Sequence, residues 1–293
     1  LFRSQALLLY QGGGDPLYGV PTPIPTRPPT YSPTPPPTAP PLPTKAETIG
    51  VYFTKDSFSS TTNVYLNQAD TTKYPLTSNT NNLNLAVTNK KDYVTYSASA
   101  HVSFINGLAN YQFGNRFSVS LMMRRASNDG RYQGIIGNGY YHTGSFEIRM
   151  GREYSGTMIG GGIETYADSG AAKWQFVYCK APVATWNHIV MVYDDSKGGL
   201  TYWINGVQQC TQGACTSSNN IKIAPKKLGI KSKDRPIYIG GVGLNSGEYF
   251  SGDIKNIGLY KVALTETQIL HLYNTNGDVT PIIPTQPPTV SPT

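Results

Sequence analysis

The sequence is poor in cysteine, in charge and in long apolar runs. Its 293 residues contain three cysteines, and 14% are charged. Three cysteines are too few for a disulfide-built scaffold. No apolar stretch approaches the ~20 residues that span a bilayer as a helix, so no membrane insertion is expected. The run Ala6-Leu7-Leu8-Leu9-Tyr10 is too short for a signal-peptide core and lacks a basic start. No Asn-x-Ser/Thr sequon occurs, so ordinary N-glycosylation is not expected. No serine nucleophile elbow and no Walker loop occurs. No helix-turn-helix, zinc-finger or RNA-binding signature is present, so no nucleic-acid partner is expected. His101, His142, His188 and Asp194 lack metal-ligand spacing.

What the chain does hold is Tyr, Thr, Ser, Asn and Gly, with 21 tyrosines and 30 glycines. Tyr and Thr suit a pleated, half-buried surface, and Gly and Asn supply turns. The net charge of +7 raises acidic polysaccharide, anionic membrane and nucleic acid as partners. The densest basic group is Lys222, Lys226, Lys227, Lys231, Lys233 and Arg235, interrupted by Asp234. It reads as a solvated loop face first and as a patch for acidic glycan second. Cys210 and Cys215 flank a four-residue loop that a disulfide can close in an oxidising compartment. Cys179–Cys215 and Cys179–Cys210 stay open as competing pairings.

Proline is confined to the ends. Residues 20 to 44 are dominated by Pro and Thr, prolines are then rare up to Asp278, and a second Pro/Thr tract follows. Proline fixes φ and removes the backbone donor. Such tracts are expected as extended polyproline II spacers of ~3.1 Å per residue. Thr22, Thr26, Thr30, Thr34 and Thr38 recur every fourth residue. Thr beside Pro is the composition of O-glycosylated stalks, so these five are candidate O-glycosylation sites.

The two ends repeat each other. Leu1, Gln5, Leu7, Leu9, Tyr10, Gly14 and Asp15 recur as Leu264, Gln268, Leu270, Leu272, Tyr273, Gly277 and Asp278, at a constant offset of 263 residues. Both copies lead into a Pro/Thr tract. Internal repetition of this kind indicates a tandem array. The expected organisation is 1–15 as the tail of a preceding similar domain, 16–44 as linker, 45–278 as the domain, and 279–293 as linker to a following unit.

The middle reads as strands. Phe117–Met123 alternates apolar with mainly polar residues, the pattern of a half-buried strand. Trp186–Tyr193 is a nearly continuous apolar run, as in a central strand. Asn205-Gly206 between apolar runs marks a type I′ hairpin. Pro236–Gly241 and Phe250–Tyr260 supply further strands. A short helix follows, with Thr265 and Gln268 as a capping box and Ile269, Leu270, Leu272 and Tyr273 as its apolar face.

These pieces, in this order, resemble the laminin-G-like jelly-roll family within the concanavalin A-like lectin/glucanase superfamily. The carrying residues are Phe117–Arg124, Trp186–Asp194, Leu200–Val207, Ile237–Gly241, Phe250–Tyr260 and Ala263–Tyr273. Phe2 stands where the capping Thr265 stands in the second copy, so the first copy departs there. The resemblance implies an all-β fold: a two-sheet antiparallel jelly-roll sandwich with a short C-terminal helix, here flanked by polyproline II linkers. Glucanases of the superfamily carry Glu-x-Asp-x-x-Glu on one strand face, and retaining chemistry needs its carboxylates ~5–5.5 Å apart. No Glu here is followed two positions later by Asp. Glu164 and Asp168 would share a strand face at the wrong spacing. No catalytic residue is therefore expected. The resemblance leaves calcium open as a cofactor, with Asp194, Asp195 and Asp253 as ligands by type only. Tyr140, Tyr141 and Trp174, in the loop-rich middle, are candidate sugar-stacking residues.

The expected function is a non-catalytic structural and adhesive unit of an extracellular surface or fibril protein. Its partners would be neighbouring copies and glycans. A carbohydrate-binding lectin module and a viral surface or capsid-associated fibre are the alternatives.

Overall fold

The computed structural model describes residues 41–52, 54, 58–59, 64–65, 68–69, 76–78, 87–89, 93–97, 102–104, 116–126, 130–138, 146–150, 158–166, 172–180, 183–197, 199–210, 237–241 and 248–279. The strands are β1 (Thr48–Tyr52), β2 (Phe58–Ser59), β3 (Val64–Tyr65), β4 (Leu76–Ser78), β5 (Val87–Asn89), β6 (Val94–Ser97), β7 (Val102–Phe104) and β8 (Arg116–Arg125). They continue as β9 (Gln133–Gly137), β10 (Phe146–Met150), β11 (Met158–Tyr166), β12 (Ala172–Lys180), β13 (Asn187–Asp194), β14 (Gly199–Ile204), β15 (Val207–Cys210), β16 (Tyr238–Ile239) and β17 (Ser251–Tyr260). Helix α1 (Glu266–Asn274) closes the domain.

The strands form two sheets. Sheet A runs β15-β14-β13-β8-β17-β6-β5, with β1 also paired to β17. Sheet B runs β12-β11-β10-β9-β16-β7-β4-β3-β2. All of these strand pairs are antiparallel. The domain is thus the expected two-sheet jelly-roll sandwich. Its core takes Phe117, Val119, Leu121 and Met123 of β8, Ile189, Met191 and Tyr193 of β13, and Phe146, Ile148 and Met150 of β10. Alternation along each strand aims these residues at the opposite sheet.

A second apolar layer lies on the other face of sheet A. Ile269 and Leu272 of α1 pack there with Val190, Val192, Trp203, Tyr260, Leu264, Leu42 and Val279. This layer explains the unbroken apolar run of β13, whose eight residues are all buried. One face meets the core and the other meets the helix. It also corrects the expectation for Phe117–Met123. That strand is buried on both faces, because Ser118 and Ser120 sit beneath the helix layer. The Ser118 hydroxyl donates to the carbonyl of Val262 and accepts from the amide of Leu264, both at 2.9 Å. Small hydroxyls with such partners are buried at little cost.

The hairpin and helix ends follow local chemistry. Asn205 and Gly206 have φ of 53° and 75°, as a type I′ turn requires. Asn205 Oδ1 also accepts the amide of His188 at 2.8 Å, tying the turn to β13. At α1, Thr265 Oγ1 accepts the Gln268 amide, and Gln268 Oε1 accepts the Thr265 amide at 2.9 Å, the reciprocal box. The helix face differs from expectation: Ile269 and Leu272 are buried, but Leu270 and Tyr273 are exposed. Ile269 and Leu272, three positions apart, share the side of the helix turned to sheet A, and Leu270 and Tyr273 lie off it. Packing also takes in residues just outside 45–278. Leu42 and Val279 are buried under the helix, and Gln268 Nε2 donates to the Pro41 carbonyl at 2.9 Å.

Candidate functional site

The uncovered part of the outer face of sheet A carries a row of chemistry-bearing side chains. Register builds it: Thr95 of β6 faces Asp253 of β17, which faces Arg124 of β8. Asn187 faces Met123 in the next step, so Trp186, just before β13, continues the same row. Four positions at ~4.8 Å strand spacing extend about 14 Å. Asp253 anchors the row. It accepts from Thr95 Oγ1 at 2.7 Å, from Arg124 Nε at 2.7 Å and from Arg124 Nη2 at 2.6 Å. The hydrogen bond to Asp253 raises the Arg124 pKa further above its ordinary value, so the guanidinium stays charged.

The aromatic part lies on the guanidinium. The Arg124 guanidinium is 5.0 Å from the Trp186 ring centre and 5.8 Å from that of Tyr93. Lys255 Nζ is 4.7 Å from the Trp186 ring. Tyr93 meets Trp186 edge-on at 5.7 Å. The Arg124 side chain is 37% exposed, and Tyr93, Trp186 and Lys255 are half-buried. This is a fixed, solvent-facing surface of two rings and two cations. Fixed rings offer stacking area at little entropic cost, and a guanidinium offers several donors in one plane. Such a surface can hold a sugar ring and its carboxylate or sulfate.

Sheet B carries a different cluster. Glu147 and Arg149 alternate with core residues along β10 and so leave the core. Glu147 Oε1 is 3.0 Å from Arg149 Nε, and Arg149 Nη1 is 3.4 Å from Glu248 Oε2. The Arg149 guanidinium also lies 4.6 Å from the Tyr132 ring centre. Burial raises the Glu248 pKa, against the pull of Arg149. One guanidinium between a buried and a half-buried carboxylate is a charge-satisfying triad.

The sequence-based site residues fare unevenly. Tyr140, Tyr141, Cys215, the five linker threonines and the Lys222–Arg235 group lie outside the described residues. Trp174 sits in β12, at one edge of sheet B, opposite Glu164 of β11. Cys210 ends β15 and Cys179 lies in β12. Asp194 serves a turn: its Oδ1 accepts from the Ser196 amide and hydroxyl and from Arg116 Nε. Asp253 is bound to Arg124 and Thr95 as above. Each of these two carboxylates thus accepts from a guanidinium and a hydroxyl. Among the described residues no group of three or more His, Cys, Asp or Glu gathers.

Comparison with known proteins follows the same lines. A laminin-G family model, described as concanavalin A-like lectin/glucanases superfamily, matches residues 97–270. The chain belongs to the concanavalin A-like lectin/glucanases superfamily. Solved structures similar to this superfamily member include the botulinum neurotoxin serotype G binding domain, with a TM-score of 0.53 at 13% identity. That match covers 78% of this chain and 51% of the other. The receptor-binding domain of the botulinum neurotoxin C/D mosaic serotype gives 0.52 at 14% identity, covering 79% and 52%. Trypanosoma rangeli sialidase, in complex with a difluorinated nononic acid, gives 0.54 at 15% identity, covering 81% and 34%. The chain thus spans about half of the neurotoxin domains and about a third of the sialidase. At these identities the likeness is one of fold. No curated protein matches the chain in sequence.

Proposed function

We propose that this chain is a non-catalytic adhesive unit of an extracellular repeat protein, whose lectin-type jelly roll binds glycans, acidic ones foremost. The observation that carries this reading is the row Thr95–Asp253–Arg124–Trp186 with Tyr93 and Lys255 alongside. It joins fixed aromatic area to two cations on an open sheet face. A net charge of +7 favours the approach of polyanions. The fold is one that receptor-binding domains and a sialidase also use. Glu147 and Glu248 act as partners of Arg149 and not as a catalytic pair. The Pro/Thr tracts act as O-glycosylated spacers between jelly rolls, with sugars on Thr22, Thr26, Thr30, Thr34 and Thr38. Among the described residues no helix is long and apolar enough to cross a membrane.

A glycan array probed with the 293-residue chain tests the recognition role. Binding to uronic or sulfated saccharides, lost in Trp186→Ala, supports it. An array with no acidic hit overturns it. Glycopeptide mass spectrometry of residues 20–44 tests the spacer role, which bare threonines would contradict.

A further inference from the structure

Each sheet ends in a strand that carries a cysteine. Among the described residues, β15 is the last strand of sheet A and holds Cys210, and β12 is the last strand of sheet B and holds Cys179. The two strands stand at the same end of the sandwich. Cα atoms of β12 come within 8 Å of those of β15, and Cα atoms of β11 come within 8 Å of those of β14. Packed sheets ordinarily lie about 10 Å apart face to face. That is beyond the ~4.4–6.8 Å between Cα atoms that a disulfide spans. At this edge the sandwich narrows, and a bridge between the sheets comes within reach.

Register adds a second, independent observation. Directly opposite residues on neighbouring strands share one face of a sheet. Cys210 is the partner of Tyr202 in β14, and Tyr202 belongs to the core between the sheets. Cys179 is the partner of Ile159 in β11, and Ile159 belongs to the same core. Both cysteine positions therefore lie on the inner faces of their sheets. A Cys210–Cys215 bond would close a four-residue loop and leave the two edges untied.

We propose that Cys179 and Cys210 form a disulfide that ties the edge of sheet A to the edge of sheet B. Each thiol gives up one proton and one electron. A low-molecular-weight disulfide takes both electrons by exchange and leaves as two thiols. The bond encloses β13 and β14, so it removes loop-closure freedom from the unfolded chain. It also pins two edge strands, which are the parts of a sheet most open to pairing with another chain. Cys215 is left as the one thiol, and the bond persists in an oxidising compartment.

Differential alkylation of the monomeric 293-residue chain, equilibrated with oxidised and reduced glutathione, tests the proposal. Free thiols are blocked with one reagent, disulfides are reduced, and the released thiols take a second. Cys210 and Cys215 share the tryptic peptide 198–222, so fragment ions between them assign each label. The second label is expected on Cys179 and Cys210, and the first on Cys215. The second label on Cys215, or the first on all three cysteines, would overturn the proposal. Thermal denaturation with and without reductant tests the clamp itself, each protein being compared with its own reduced form. The parent and Cys215→Ser should lose about 5–15 °C on reduction. Cys179→Ser and Cys210→Ser should not respond to reductant. A parent that melts alike in both conditions, or a Cys179→Ser variant that still responds, would overturn the clamp.

Discussion

Replacing Leu272 by Ala, set against Leu270 by Ala, probes the layer that joins the helix to sheet A. The two residues lie on one short helix, have equal helix propensity and lose the same atoms. Leu272 is fully buried against Val190, Val192, Trp203, Tyr260 and Leu264, whereas Leu270 is 44% exposed. Truncating a buried leucine costs about 2–5 kcal/mol, counting both transfer and the cavity left behind. The site packs against rigid strands on one side, so little collapse is available and a value of about 3 kcal/mol is expected. For a domain of this size, about 2–4 °C of melting temperature per kcal/mol gives a fall of about 6–12 °C. Leu270→Ala should stay within about 0.5 kcal/mol of the parent. Urea titration followed by tryptophan fluorescence measures both, with Trp203 beneath the helix as a local reporter. Equal losses in the two variants, or a larger loss at position 270, would refute the assignment of the buried helix face.

Other outcomes follow from single residues. His188 is fully buried, and burial lowers its pKa to about 4 from 6.5. Its neutral form is favoured in the fold, so this stability is complete above pH 6.5 and is lost as pH falls toward 4. The loss should approach about 3 kcal/mol. His188→Gln should flatten that part of the stability–pH curve, and an unchanged curve would contradict the assignment. A methyl group on Gly137 would meet the Phe146 carbonyl at 2.7 Å and Glu147 Cβ at 2.9 Å. Gly137→Ala should therefore cost about 1–3 kcal/mol in thermal denaturation. Thr265→Ala removes the cap of α1 and should cost about 1 kcal/mol in the same assay.

The fold was readable because its signals are local. Asn205-Gly206 forces its turn, and Thr265 with Gln268 caps its helix. The apolar run of β13 announces burial on both faces. The covered serines of β8 were misread, because Ser118 and Ser120 look solvent-facing until their partners Val262, Leu264 and His188 are known. The helix face was overdrawn for a related reason: hydrophobic residues on a helix mark where it can be buried, not which of them the sheet covers. The row on sheet A was the least legible part. Positions 93, 95, 124, 186 and 253 share no sequence motif, and only cross-strand register brings them together. The alternation of Val94 and Tyr96 inward with Tyr93 and Thr95 outward was the available clue. It shows which residues leave the core, not which strands stand beside them.

The most direct test of the central claim is calorimetric titration of one acidic oligosaccharide, and of its neutral counterpart, into the parent chain, Arg124→Ala and Trp186→Ala. The saccharide should be recovered afterwards and analysed. The account predicts that the parent prefers the acidic form, that each variant weakens binding at least tenfold, and that the saccharide returns intact. Equal binding of both forms by all three proteins, or recovery of cleaved saccharide, would contradict it.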